Sequence, residues 1–168
     1  MAKPSLPDAE ELLAALTAQM RPHVTAKTGL IGIVTGGAWL AERLHRDLKL
    51  EVPHGSLDVS FYRDDFQHKG LKHQVMPSAI PFEVEGRDLI LVDDVLYTGR
   101  TIRAAMNELF DYGRPRSITL VVLIDRGGRQ LPICAQHCGA RLELPERKRL
   151  RLKRDADGAL RLELEDAA

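Results

Sequence analysis

The stretch Leu89-Ile90-Leu91-Val92-Asp93-Asp94-Val95-Leu96-Tyr97-Thr98-Gly99-Arg100-Thr101 limits the possible folds of this chain more than any other. Four apolar residues run into two carboxylates. A short link then reaches Thr-Gly-Arg-Thr, and Ile102, Ala105, Met106 and Leu109 follow at helical spacing to about Tyr112. Buried strand, charged strand end, small-residue loop and helix start in one run is how an open α/β sheet builds an anion site at the carboxyl ends of its strands. Strand side chains alternate, so Asp93 and Asp94 face different directions, and one or both reach solvent at the sheet edge. Carboxylates placed there accept hydrogen bonds from sugar hydroxyls, hold magnesium through water, or act as a base; the residue types leave all three open. Thr98 to Thr101 add successive backbone N–H groups, two hydroxyls and a helix dipole. A group carrying both a ribose and a phosphate fits that order of parts.

The rest of the chain supplies the sheet. Ser5 to Met20 reads as a helix, with Ser5 and Asp8 as caps and Pro7 in the first turn. Leu30 to Val34 is a short buried strand, Thr35-Gly36-Gly37 a glycine turn, and Ala38 to Leu48 a helix through Leu40, Leu44 and Leu48. Paired glycines let backbone N–H groups approach an anion closely. Residues 57–62 alternate as a half-buried strand. From Arg63 to Gln74 both signs of charge occur without periodicity, which suits a lid beside a binding site. Phe82 to Glu85 is a short extended piece. Ile118 to Ile124 is a continuous apolar, β-branched run interrupted only by Thr119, hence a strand buried on both faces. Asp125-Arg126-Gly127-Gly128-Arg129 breaks from its carboxyl end, on the sheet edge that carries Asp93 and Asp94. Alternating strands and helices predict an α/β fold with a mostly parallel central sheet flanked by helices. Leu150, Leu152, Leu160, Leu162 and Leu164 alternate with charged residues around Asp155-Ala156-Asp157-Gly158, which predicts a C-terminal antiparallel β-hairpin.

At 168 residues the chain has the length of one domain. Lys plus Arg and Asp plus Glu both number 24, so bulk charge gives no argument for nucleic acid and only a local patch does. Seven of the fourteen residues from Arg141 to Arg154 are basic, a strip suited either to a nucleic-acid backbone or to a solvated strand face. Cys134 and Cys138 lack a second Cys/His pair at zinc spacing and read as reduced thiols. The first residues lack the apolar core of a signal peptide, and Ile118 to Ile124 is too short to span a bilayer. A soluble cytoplasmic protein that does not enter the membrane is the expectation.

Neither Gly-x4-Gly-Lys-Ser/Thr nor Gly-x-Gly-x-x-Gly occurs. A phospho-accepting signalling domain would use the paired carboxylates, with Asp125 as the further acceptor, but would leave Thr-Gly-x-Thr without a purpose. Four hydrophobics, Asp-Asp, an apolar link and Thr-Gly-x-Thr resemble the 5-phosphoribosyl-1-pyrophosphate (PRPP) motif of type I phosphoribosyltransferases. Leu57-Asp58, Tyr62 to Asp65, Val92 to Thr101, Gly113 to Ile118, Leu123 to Gly127, Arg129 and Leu131-Pro132-Ile133 resemble one branch, the bifunctional pyrimidine operon regulators and uracil phosphoribosyltransferases. The likeness extends over about Leu30 to Gly139.

The resemblance implies the type I phosphoribosyltransferase fold with a small hood, in a single domain with a core at about 28–125, a flexible loop at about 63–80, and hood and hairpin at about 125–165. It implies that uracil and PRPP give uridine 5′-monophosphate (UMP) and pyrophosphate with Mg2+, held through Asp93 or Asp94, chiefly by way of water. The catalytic residues are then Asp93, Asp94 and Arg63, with Lys69 or Lys72 also facing pyrophosphate. Val95, Tyr97, Thr98, Gly99, Arg100 and Thr101 form the 5′-phosphate run, Thr35, Gly36 and Gly37 the pyrophosphate loop, and Ile124, Asp125, Arg126 and Arg129 the base hood. A homo-oligomer, in the first instance a dimer, and an RNA partner are implied too. Three departures stand out: the branch reads Thr-Arg-Gly at 35–37 and Arg-Gly-His-Arg at 126–129, and its N-terminal helix is rich in Arg. Here Gly36 and Gly128 replace the second and third of those residues, and Glu10 to Gln19 contain no Arg. The first departure removes a cation from the pyrophosphate loop; the others weigh against RNA.

Overall fold

A computed structural model of the chain describes residues 5–60 and 78–168. Helix α1 (Ala9–Met20) starts three residues after Leu6 rather than at Ser5, because the Asp8 carboxylate accepts the Glu11 N–H at 3.0 Å and caps it there. A 3-10 turn at Arg21–His23 follows. Strand β1 (Gly29–Ile33) leads to helix α2 (Gly36–Leu48) and strand β2 (Gly55–Leu57). Strand β3 (Asp88–Leu96), helix α3 (Arg100–Asp111) and strand β4 (Ser117–Asp125) form the second strand–helix–strand unit. Strand β5 (His137–Arg141) adds an edge, and β6 (Lys148–Arg154) and β7 (Leu160–Asp166) close the chain as an antiparallel hairpin.

The five strands of the main sheet run in the order β2-β1-β3-β4-β5, all parallel. From β1 the chain passes through α2 to β2 on one side. From β3, the other neighbour of β1, it passes through α3 to β4 on the opposite side. The strand order therefore reverses between β1 and β3, which opens a crevice at their carboxyl ends.

Pleating divides the core. Ile90 and Val92 of β3 join Leu13, Leu16 and Met20 of α1, Leu40 and Leu44 of α2, and Leu150, Leu152 and Leu160 of the hairpin. Leu89 and Leu91 face the other way, with Ile31, Ile33 and Leu57, and meet Ile102, Ala105 and Leu109 of α3. Helices thus cover both faces of the sheet, and the hairpin packs on the α1–α2 side. The α/β fold with a mostly parallel sheet and terminal hairpin agrees with the expectation from sequence.

Several elements differ from it. The half-buried strand expected over 57–62 is only the end of β2. Asp58, Val59 and Ser60 are all buried, and the Asp58 carboxylate accepts the Ser60 N–H at 2.9 Å, turning the chain out of the sheet. Residues 61 and 62 lie outside the described residues, as does most of the loop expected at 63–80. Phe82 to Glu85 forms no strand; the nearest pairing is an isolated bridge between Ser56 and Ala79. Strand β5 is an addition, too short and too polar to show a pattern. Cys138 lies on it; both cysteines are free thiols, and the described residues contain no cluster of three metal-ligating groups.

Candidate functional site

Both carboxylates lie inside β3. The strand does not stop at Val92: Asp93 pairs with Val122, Val95 with Ile124 and Leu96 with Asp125. Adjacent residues on a strand receive opposite environments, and here the contrast is large. Asp93 is 2% exposed, whereas Asp94 is half-buried. The Asp94 N–H donates to Asp93 Oδ1 at 2.9 Å, and the Val95 N–H donates to Asp94 Oδ1 at 2.8 Å. Asp94 is thus the carboxylate presented to the crevice.

Opposite it stands the start of α2. Gly36 and Gly37 form the first turn of that helix instead of a loop before it, and the peptide between Val34 and Thr35 is cis. A Cβ placed on Gly36 would lie 2.4 Å from Asp94 Oδ2, and one on Gly37 would lie 2.4 Å from the Val92 carbonyl oxygen. The two glycines let the helix N-terminus press against the carboxylate strand. Thr35, at the N-cap, is exposed. The site residues on β1–α2 and on β3 are therefore brought together.

The link after β3 turns through Gly99, whose φ of +93° lies in the left-handed region that glycine enters freely. Gly99 caps α3, its carbonyl accepts the Arg103 N–H at 3.0 Å, and the Arg100 N–H donates to Thr98 Oγ1 at 3.2 Å. Thr98 is buried, Thr101 half-buried and Arg100 exposed. Val95 packs on the α1–α2 core. This helix start has N–H groups, two hydroxyls and a positive dipole end, a combination suited to phosphate.

The expected base-hood residues make their contacts within the protein. Ile124 is wholly buried in the core. Asp125 accepts both Nη2 bonds of Arg129, at 2.8 and 2.7 Å, and the Gly127 N–H at 3.0 Å. Burial pushes the Asp125 carboxyl up, but Arg129 and the Gly127 amide outweigh it and hold it below its ordinary range. Arg129 also donates through Nη1 to the Tyr97 carbonyl. Arg126, 7% exposed, donates to the Lys148 carbonyl at 2.9 Å and the Pro145 carbonyl at 3.3 Å, and its guanidinium stands 4.0 Å from the Tyr97 ring centroid. It ties the hairpin to the loop after β3. Gly128, at φ +75°, would place a Cβ 2.3 Å from the Tyr97 ring, so that ring is held between Gly128 and Arg126. Sequence reasoning missed Gln130, whose Oε1 accepts from Arg100 Nε at 3.1 Å; only its place just after the hood residues hinted at it. Arg63, Lys69 and Lys72 lie outside the described residues.

The Asp94 carboxylate at the crevice, with the buried Asp93 beside it, is a donor set that suits Mg2+. That ion binds through one or two carboxylates plus water and substrate oxygens rather than in an all-protein cage. Several cations of the basic strip of 141–154 pair with carboxylates. Arg151 pairs with Glu165 at 2.8 Å, Lys153 with Glu165 at 3.3 Å, Arg154 with Glu42 at 3.5 Å, and Lys148 with Asp166. No described helix is long and apolar enough to cross a membrane.

Residues 6–138 match the family profile of the phosphoribosyl transferase domain. The chain is 53% identical over 161 residues to "Bifunctional protein PyrR" of Pseudomonas aeruginosa strain LESB58, covering 93% of this chain and 94% of that protein. It is 50% identical over 168 residues to the protein of the same name from Pseudomonas fluorescens, covering 98% and 99%. Among solved structures, a hypoxanthine-guanine phosphoribosyltransferase from Bacillus anthracis has a similar fold, with a TM-score of 0.67, 21% identity and 86% of each chain covered. A hypoxanthine phosphoribosyltransferase from Staphylococcus aureus gives a TM-score of 0.65 at 23% identity, covering 86% of this chain and 79% of that one.

Proposed function

Because the chain belongs to the type I phosphoribosyltransferase family, in its PyrR branch, we propose that it transfers the phosphoribosyl group of PRPP to uracil, giving UMP and pyrophosphate. The observation that carries this reading is the crevice between β1 and β3. The Gly36 turn abuts Asp94 there, and the same strand runs on into the Thr98–Thr101 helix start.

In the reaction the bond from the anomeric carbon to the uracil ring nitrogen N1 forms and the bond to the pyrophosphate oxygen breaks. Pyrophosphate leaves with the electron pair, and N1 gives up its proton. The anomeric carbon gains positive character as this happens, so the protein's task is to hold both reactants in line and offset the leaving charge. The amides of Thr98 to Thr101 hold the 5′-phosphate. Asp94, with Asp93 behind it, orients the ribose hydroxyls. The first turn of α2 at Thr35 to Gly37 receives pyrophosphate with its positive dipole end, and Arg63 adds a cation. Asp93 or Asp94 would hold Mg2+ through water, and the ion would supply positive charge to the phosphates. The main chain of the segment from Ile124 to Arg129 covers the base, while the Arg126 and Arg129 guanidinia are engaged within the protein. A homodimer in the cytoplasm belongs to the same reading. Regulation of a pyrimidine operon through RNA has less support, because several of the hairpin's cations are paired with carboxylates.

The test is an incubation with Mg2+, PRPP and a panel of labelled bases. UMP from uracil, well above nucleotide from any purine, is the expected product. Protein that binds PRPP yet forms no nucleotide would end the enzymatic reading.

A further inference from the structure

The hood segment holds the carbonyl groups of the loop after β3 in a one-sided arrangement. The Leu96 carbonyl accepts the Arg126 N–H at 3.0 Å. The Tyr97 carbonyl accepts from Arg129 Nη1. The Thr98 carbonyl accepts the N–H groups of Gln130 at 2.9 Å and Leu131 at 3.1 Å. Three successive carbonyls therefore face one segment, 126–131. In a planar trans peptide the C=O and the N–H point in opposite directions. The peptides concerned are not cis; the cis bond among the described residues is Val34–Thr35. The N–H groups of Tyr97, Thr98 and Gly99 are thereby turned away from the hood. Successive N–H groups on one side make an anion-binding concavity, and the left-handed Gly99 is the conformation such a turn requires.

We propose that Arg129 is a positioning residue for the 5′-phosphate loop: its guanidinium, anchored by Asp125, fixes the Tyr97–Thr98 peptide so that the Thr98 amide faces the phosphate. A base-facing role would need guanidinium donors aimed into the ligand space. Nη2 is instead committed to both oxygens of Asp125 and Nη1 to the Tyr97 carbonyl. Asp125 and Arg129 both lie mostly out of solvent, at 14% and 24% side-chain exposure, so the pair is shielded and holds its geometry. Gln130 braces the same loop twice, through its N–H on Thr98 and through its side chain on Arg100. The ligand class that responds to Arg129 is accordingly a ribose 5-phosphate group, whatever base it carries.

This rests on the proposed phosphoribosyl site, and binding without turnover separates the two. Affinity for ribose 5-phosphate and for UMP is measured by calorimetry in the wild type, Arg129→Gln and Arg129→Lys, with uridine as the probe that lacks the phosphate. Wild-type protein that binds neither phosphorylated ligand refutes the site itself. If it binds them, Arg129→Gln is expected to weaken both by about tenfold, the loss of one charge-assisted hydrogen bond, with uridine affinity changed less than about twofold. Arg129→Lys keeps the charge beside Asp125 but not the two-pronged geometry, and is expected to lose an intermediate amount, about threefold. It also serves should the glutamine variant fail to fold. Equal losses for UMP and uridine, or no loss in the folded variants, would overturn the assignment.

Discussion

Replacing Gly36 by alanine tests the contact on which the crevice depends. The added Cβ would sit 2.4 Å from Asp94 Oδ2 and 2.8 Å from Cγ. An ordinary contact begins near 3.4 Å, so the carboxylate must retreat by about 1 Å. Gly36 is not at positive φ, so alanine suits the backbone, and the obstructing atoms are the end of a side chain rather than main chain. The fold should therefore yield little, with Tm shifting by less than about 3 °C, equivalent to about 1 kcal/mol for a chain of this size. Catalysis should yield a great deal in this chain, whose Asp94 carboxylate occupies the space that a Thr-Arg-Gly loop must leave for a Cβ, because misplacing a reacting or orienting group by about 1 Å costs on the order of 100-fold. That corresponds to about 2.7 kcal/mol in kcat/KM. The assay is initial-rate UMP formation with PRPP varied, beside a thermal melt. A double-mutant cycle with Asp94→Ala isolates the cause, since without the carboxylate Gly36→Ala has nothing to displace and should add less than about threefold. A Gly36→Ala enzyme with wild-type kcat/KM and Tm would refute the reasoning.

Gly37→Ala should behave differently. Its Cβ would meet the Val92 carbonyl, main chain that cannot swing aside, so it should destabilise the fold by about 1–3 kcal/mol in chemical denaturation. Arg116, with Ser117, holds the Asp88 carboxyl down to about 2. A depressed carboxyl contributes stability above its unfolded value of about 4 and loses it as pH falls toward about 2. Wild type and Asp88→Asn should thus differ in denaturant midpoint at pH 6 and converge near pH 2, and a constant difference would contradict the assignment. With Lys148, Arg151, Lys153 and Arg154 paired, the hairpin should release few counterions on RNA. The logarithm of affinity for a pyrimidine-operon leader should fall with the logarithm of salt at a slope shallower than about −2. A steep slope abolished by Arg151→Ala would reinstate the strip as an RNA surface.

The parallel sheet was legible because β3 and β4 are long apolar runs and β1 ends in a glycine turn, signals that survive any tertiary context. The hairpin was legible from strict alternation between Leu150 and Leu164. β5 was not, since a five-residue polar edge strand is defined by its pairing with β4 rather than by its own residues. The two carboxylates were legible as lying toward the carboxyl end of the strand, though β3 runs on past them to Leu96, and the difference between them arises from which side the pleat turns each one. Asp93 enters the interior and Asp94 meets α2. The hood residues were found as a cluster but not by what they touch. That Arg126 reaches the Lys148 carbonyl and Arg129 the Tyr97 carbonyl depends on how the hairpin and hood fold back, which spacing along the chain does not encode.

The most direct measurement is a crystal structure of the protein with UMP bound. The expected result places the 5′-phosphate on the amides of Thr98 to Thr101, the ribose hydroxyls toward Asp94, and the base beneath the segment from Ile124 to Arg129. A fully occupied UMP whose phosphate lies elsewhere, with the Thr98–Thr101 amides not contacting it, would contradict the assignment of this strand end as the phosphoribosyl site.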